Sequence, residues 1–90
     1  KNSHEDTKSY NNKDNIITSP MVGTVYLAPE PGGKKFIEVG DTINEGQQLL
    51  IIEAMKTMNP IISTKNGIVV KIFVKDGSPV EFDEPLLIVE

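Results

Sequence analysis

Leu49-Leu50-Ile51-Ile52-Glu53-Ala54-Met55-Lys56-Thr57-Met58-Asn59-Pro60-Ile61-Ile62 decides how the rest of the chain is read. Two apolar runs with the β-branched bias of buried strands flank a short polar break. The pattern predicts a β-hairpin with Lys56 at its tip. A two-residue hairpin loop prefers Asn-Gly or Asp-Gly, which reach positive φ at little cost. Met55-Lys56 forgoes that advantage, so the tip is not written for stability.

Outside this hairpin, from Ile16 onward, the chain is a series of short strand-like runs punctuated by Gly, Pro and Asn. They are Ile16-Ile17, Gly23 to Leu27, Phe36 to Val39, Gln48 to Ala54, Met58 to Ser63, Gly67 to Val74 and Leu86 to Val89. No segment keeps a helical period, and the expected class is all-β.

The runs also repeat. Ile17-Thr18-Ser19 followed by Gly23-Thr24-Val25 lines up with Ile61-Ile62-Ser63 followed by Gly67-Ile68-Val69. At a second constant offset, Gly40 through Ile43 to Leu49-Leu50-Ile51-Ile52-Glu53 lines up with Gly77 through Val80 to Leu86-Leu87-Ile88-Val89-Glu90. Neither half is long enough to bury its apolar face alone, so the two are expected to pack about a pseudo-twofold, joined by the Lys56 hairpin. The offsets differ because the first half holds an insertion between Leu27 and Phe36, namely Ala28-Pro29-Glu30-Pro31-Gly32-Gly33-Lys34. Two prolines and two glycines make it a protruding loop.

Length and composition narrow the function. Ninety residues allow one small domain with a tail. A chain of this size buries only about 60% of its unfolded surface, leaving little room for a deep active-site cavity. A net charge of −4, with lysine as its only strong base, argues against a nucleic-acid groove. The absence of cysteine excludes disulfides, cysteine-metal sites and thiol catalysis within the chain. No long apolar segment or signal-peptide pattern supports a membrane or secreted protein, and the default address is cytoplasmic.

Residues 1–15 (KNSHEDTKSYNNKDN) are polar throughout, with only Tyr10 to bury, and are expected to form a tail or linker preceding a domain at 16–90. His4, the sole histidine, has no partners there, and no metal site is expected. Because the first residue is Lys, the chain is expected to be a piece of a longer protein. Glu81, Asp83, Glu84 and Glu90 give an acidic surface whose simplest effect is solubility.

Glu53-Ala54-Met55-Lys56 followed by Met58 resembles the Ala-Met-Lys-Met attachment motif of biotinyl domains. The resemblance extends over Ile16 to Glu90. It is carried by Ser19-Pro20-Met21-Val22-Gly23-Thr24, the proline-glycine insertion, Phe36-Ile37-Glu38-Val39-Gly40-Asp41, Met58-Asn59, and Pro79-Val80-Glu81-Phe82-Asp83-Glu84-Pro85-Leu86. These pieces look like biotin carboxyl carrier domains of multi-subunit acetyl-CoA carboxylases.

The resemblance implies a flattened β-barrel or sandwich of two four-stranded antiparallel sheets. It implies biotin in amide linkage to Lys56, and a thumb, Ala28 to Lys34, near the biotin ring. Met55, Thr57 and Met58 would flank the attachment point, and Glu53 would help a biotin protein ligase read the hairpin. Thr57 stands where the motif usually has Met, and Ala28 where some relatives have a hydroxyl residue able to reach biotin.

A lysine amine is almost wholly protonated at neutral pH and is a poor nucleophile until a base takes its proton. Nothing at a wet hairpin tip supplies that base, so Lys56 is expected to be the substrate of a separate ligase. The implied role is a non-catalytic carrier. Biotin carboxylase would carboxylate the cofactor using ATP and bicarbonate, and carboxyltransferase would pass the group to acetyl-CoA, giving malonyl-CoA for fatty-acid synthesis.

Three other readings compete. A lipoyl domain usually has Asp before the lysine and Ala after it. Biotinyl domains of other carboxylases commonly lack the thumb. An unmodified β-sandwich interaction module would carry Lys56 only as a surface charge. An enzyme using Lys56 as a Schiff-base nucleophile would need a desolvated pocket that the tip does not offer.

Overall fold

The apolar runs of the decisive stretch form β4 (Gln48–Ala54) and β5 (Thr57–Ile62), paired antiparallel from Gln48↔Ile62 up to Ala54↔Thr57. The computed structural model describes residues 15–90; the first fourteen residues of the expected tail, with His4 and Tyr10, lie outside the described residues. Six further strands complete the fold: β1 (Ile16–Thr18), β2 (Gly23–Tyr26), β3 (Thr42–Ile43), β6 (Gly67–Ile72), β7 (Pro79–Val80) and β8 (Pro85–Val89). They make two four-stranded sheets, ordered β1-β8-β6-β3 and β5-β4-β2-β7, with every pair antiparallel. The expected all-β sandwich is therefore present.

Exchanging β1 with β5, β2 with β6, β3 with β7 and β4 with β8 converts one sheet order into the other, as the sequence repeat requires. The match extends to single hydrogen bonds. Gly40 N donates to Val69 O as Gly77 N does to Val25 O. Ser19 Oγ donates to Met21 O, and Ser63 Oγ to Lys65 O, both at 2.6 Å. The two serines are buried, and these bonds satisfy hydroxyls that would otherwise be desolvated at a cost of about 1–3 kcal/mol each.

The core lies between the sheets. Val25, Ile43, Leu49, Leu50, Ile52, Val69, Val80, Leu86, Leu87 and Val89 are buried in one cluster. Strict alternation would put Leu49 and Leu50 on opposite faces; a register shift between Gln48 and Leu50 lets both be buried, and β8 repeats the device at Leu86 and Leu87.

Gly23 shows why β2 and β4 pack closely. A Cβ there would stand 2.4 Å from Glu53 O, inside the backbone of the neighbouring strand. Only glycine allows that approach.

One expected strand is absent. Phe36 to Val39 is not a strand: Glu38–Asp41 closes a turn through Asp41 N to Glu38 O at 3.0 Å, with Gly40 at φ 99° and Asp41 Oδ2 accepting Glu38 N. That turn leaves Val39 exposed, and pairing resumes only in β3, just beyond it.

Candidate functional site

The hairpin turn is Ala54-Met55-Lys56-Thr57. Met55 has φ 52° and Lys56 φ 67°, so both central residues occupy the left-handed region of a type I′ turn. The flanking strands impose this geometry, since a two-residue loop must match their right-handed twist. Neither residue relieves it as Asn or Gly would, and such conformations cost on the order of 1 kcal/mol or more each. Among the described residues the only other non-glycine at positive φ is Asp83.

Strain at the tip coincides with exposure. Met55 is 96% exposed and Lys56 is exposed beside it. Below the tip the hairpin is braced by Asn59, whose Nδ2 donates to Thr57 O and to Ile52 O, both at 3.1 Å. Thr57 is exposed and its Oγ1 makes a long 3.5 Å contact to Met55 O. It faces solvent, so Thr fits the strand here.

The outer face of the second sheet carries the rest. Thr24 lies opposite Glu53, and Glu53 opposite Met58, so the outward residues of β2, β4 and β5 form a row. Tyr26, diagonal to Glu53 across the strand pair, donates its hydroxyl to Glu53 Oε1 at 3.2 Å. The acceptor hydrogen bond, together with burial and the nearby carboxylates of Glu53 and Asp76, pushes the Tyr26 phenol above the ordinary tyrosine value.

Over this row folds the thumb. Its base closes through Phe36 N to Leu27 O at 2.9 Å, and Leu27 N is held by Asp76 Oδ1 at 2.7 Å. Its apex is a turn from Glu30 to Gly33 in the type II pattern, with Pro31 at the second position and Gly32 at φ 76°. Ala28 is buried at the thumb's root, Pro29, Glu30, Pro31, Gly32 and Lys34 are exposed, and Gly33 is half-buried.

Between thumb and hairpin lies a cavity of about 200 Å³, lined by Tyr26, Ala28, Pro29, Glu30, Pro31, Glu53 and Met58. Thus Glu53, Met58 and the first half of the thumb, expected as site residues, are brought together. Met55, Lys56 and Thr57 stand beyond the cavity at the tip, and Gly32, Gly33 and Lys34 do not line it. Tyr26 was not foreseen: only the β2-to-β4 register, which no local pattern encodes, places its hydroxyl on Glu53.

The cavity mixes apolar walls with a phenol and two carboxylates, so it can hold a small polar ring against apolar surface but offers no ready metal site. No group of three or more metal-ligating side chains occurs among the described residues. No described helix is long and apolar enough to cross a membrane.

The fold and site define a class: a twofold-symmetric β-sandwich that presents one lysine on a strained hairpin beside a small open cleft. The chain belongs to the biotin/lipoyl family, whose model, described as "Biotin-requiring enzyme", matches residues 15–89. It is similar to the biotin carboxyl carrier protein of acetyl-CoA carboxylase of Haemophilus influenzae, with 51% identity over 83% of this chain and 48% of that one. To the protein of the same description from Nostoc it is 54% identical over 79% of this chain and 39% of that one.

The chain thus spans about half or less of these relatives. Among solved structures it is similar to the urea carboxylase of Kluyveromyces lactis (TM-score 0.70, 31% identity, 83% of this chain, 6% of that one). It is also similar to a single-chain, multi-domain long-chain acyl-CoA carboxylase (TM-score 0.68, 25% identity, 80% of this chain, 7% of that one).

Proposed function

We propose that this chain is the biotin carrier domain of a multi-subunit acetyl-CoA carboxylase and that Lys56 is the attachment residue. The observation that carries the reading is the tip itself. A lysine and a methionine are held at positive φ, where glycine or asparagine would be more stable, and the lysine projects into solvent. Sites that keep such strain are drawn from functional positions.

Among the described residues no side chain is hydrogen-bonded to Lys56 to serve as its base, so a biotin protein ligase supplies both base and activated acyl group. Lys56 Nζ attacks the carboxyl carbon of biotinyl-adenylate, the C–N bond forms, the C–O bond to AMP breaks, and the amine proton passes to the ligase. The modified side chain is neutral. When bound, biotin supplies the carboxyl-carrying chemistry, and this chain supplies presentation. The residues fit such a group: the tip is open to a ligase, and the cavity beneath the thumb is apolar at Ala28, Pro29, Pro31 and Met58 with polar groups at Tyr26, Glu30 and Glu53.

The partners in this reading are the ligase, the biotin carboxylase subunit and the carboxyltransferase subunit, and the setting is cytoplasmic. Tethering raises the local concentration of the carried carboxyl group at each partner. The chain itself is non-catalytic. The insertion Ala28 to Lys34, folded as a protruding thumb, favours this reading over a lipoyl domain.

Incubation with a biotin ligase, biotin and ATP, followed by intact-mass analysis, tests it. One biotinyl group is expected on the wild-type chain and none on Lys56→Arg. An unmodified wild type, or an equally modified Lys56→Arg, ends the proposal.

A further inference from the structure

None of the residues lining the cavity under the thumb is a cation, whereas two of them, Glu30 and Glu53, are carboxylates. One comes from the hairpin and the other from the thumb. Glu53 belongs to β4, and its Oε1 accepts the Tyr26 hydroxyl at 3.2 Å, which leaves the second carboxylate oxygen able to accept from a ligand. Glu30 opens the apical turn of the thumb, and a Cβ at Gly33 would meet its Cγ at 3.2 Å, so its side chain starts back across that turn. The repeat demands none of this: the twofold mate of Tyr26 is Val70, and the thumb has no mate.

The cavity lies within the sweep of the tip. Glu53 pairs with Met58 one step below Ala54↔Thr57, so at about 3.4 Å per residue it stands roughly 7–10 Å back from Lys56. A lysine side chain lengthened by an acyl chain covers that distance. Acylation also removes the charge of Lys56, the one cation of the hairpin, so nothing on β4 or β5 then offsets the two carboxylates.

Such walls suit a neutral cyclic urea, whose N–H groups donate to carboxylate oxygens while its hydrocarbon edge lies against Pro29, Pro31 and Met58. Taking up a carboxyl group replaces one ring N–H by an N-carboxylate. That removes a donor and adds a negative charge facing Glu30 and Glu53, which repel it even in an open cleft.

We propose that Glu30 and Glu53 make the cavity selective for the charge state of the arm; this rests on the carrier reading of Lys56. The uncarboxylated ring docks beneath the thumb, and the carboxylated ring is expelled into solvent, where a partner can meet it.

The test compares backbone amide NMR signals of the unloaded, biotin-loaded and carboxylated chain, with loading verified by intact mass. The carboxylated form is made with biotin carboxylase, ATP and isotope-labelled bicarbonate, whose carbon signal verifies the product. Loading is expected to move the amides of Tyr26, Ala28 and Gly33. Carboxylation returns them to their unloaded positions, while Met55 and Thr57 keep the shifts of loading. In Glu30→Gln the ratio of docked to free carboxylated ring rises about three- to tenfold, the effect of one charge at roughly 6 Å in surroundings between water and protein surface. Glu30→Lys keeps the loaded shifts after carboxylation, and added salt narrows the wild-type difference. A carboxylated wild type that keeps the loaded shifts overturns the selectivity, as does a Glu30→Gln chain that behaves like wild type. Thumb amides unmoved by loading overturn it too, and in each of these cases biotin on Lys56 leaves the carrier reading intact. A wild-type chain that accepts no biotin overturns both.

Discussion

Asp83 occupies the position in its turn that Gly46 occupies in the twofold-related one, at φ 70° against 89°. Aspartate tolerates the left-handed region better than most residues but still pays for its Cβ. Asp83→Gly is expected to stabilise the domain by about 0.5–1 kcal/mol, raising Tm by several degrees, and Gly46→Asp to destabilise it by a similar amount. Thermal unfolding of the two variants checks the sign. Opposite shifts are expected, since the two turns share one geometry.

The tip should show the same trade more sharply. Met55→Asn with Lys56→Gly writes the turn that the observed φ values of 52° and 67° favour. Urea unfolding is expected to show about 1–2 kcal/mol of added stability, while the variant accepts no biotin. A loss of stability would mean that the hairpin is not the strained element described above.

Much of this was legible in the chain. Met55 and Lys56 were readable as a poor hairpin turn because both strands beside them carry long apolar runs, and the paired offsets located both halves and the thumb. The two-residue strands Thr42–Ile43 and Pro79–Val80 were not readable, since two residues hold no period. Phe36 to Val39 looked like a strand because its composition is apolar, yet Gly40 and the Asp41 carboxylate turn the chain there. Tyr26 was missed for a different reason: its place beside Glu53 depends on register between strands far apart in sequence.

Tyr26 and Glu53 give a pH-dependent prediction. The hydrogen bond to Glu53, with burial and repulsion from the carboxylates of Glu53 and Asp76, raises the phenol above its ordinary value of 10.0. The folded state therefore holds this proton more tightly than the unfolded one. Its contribution to stability is complete below pH about 10 and is lost as pH rises through the folded value. In a Tyr10→Phe background, which leaves one tyrosine, near-ultraviolet titration is expected to place Tyr26 above 10, and Glu53→Ala to move it down. An unmoved titration in Glu53→Ala would show that the contact is absent in solution.

Gly23 and Gly67 are twofold mates that should not respond equally to a methyl group. At Gly23 the new carbon would stand 2.4 Å from Glu53 O and 2.8 Å from Ile52 Cγ2; at Gly67 it would stand 2.8 Å from Val89 Cγ1 and 2.9 Å from Glu90 O. The first clash is with backbone in the middle of a sheet, braced on one side by β5 and on the other by β7. The second is led by a side-chain methyl, which can rotate away, and its closest backbone atom lies at 2.9 Å rather than 2.4 Å. Gly23→Ala is expected to cost about 2–3 kcal/mol and Gly67→Ala about 1–2 kcal/mol, measured by urea unfolding. Gly23→Ala also pushes on the carbonyl of Glu53, whose side chain lines the cavity three residues before Lys56. It is therefore expected to slow acylation of Lys56 at temperatures where the variant is still folded, while Gly67→Ala loads at the wild-type rate. Equal loading by both would show that strain at Gly23 does not reach the tip.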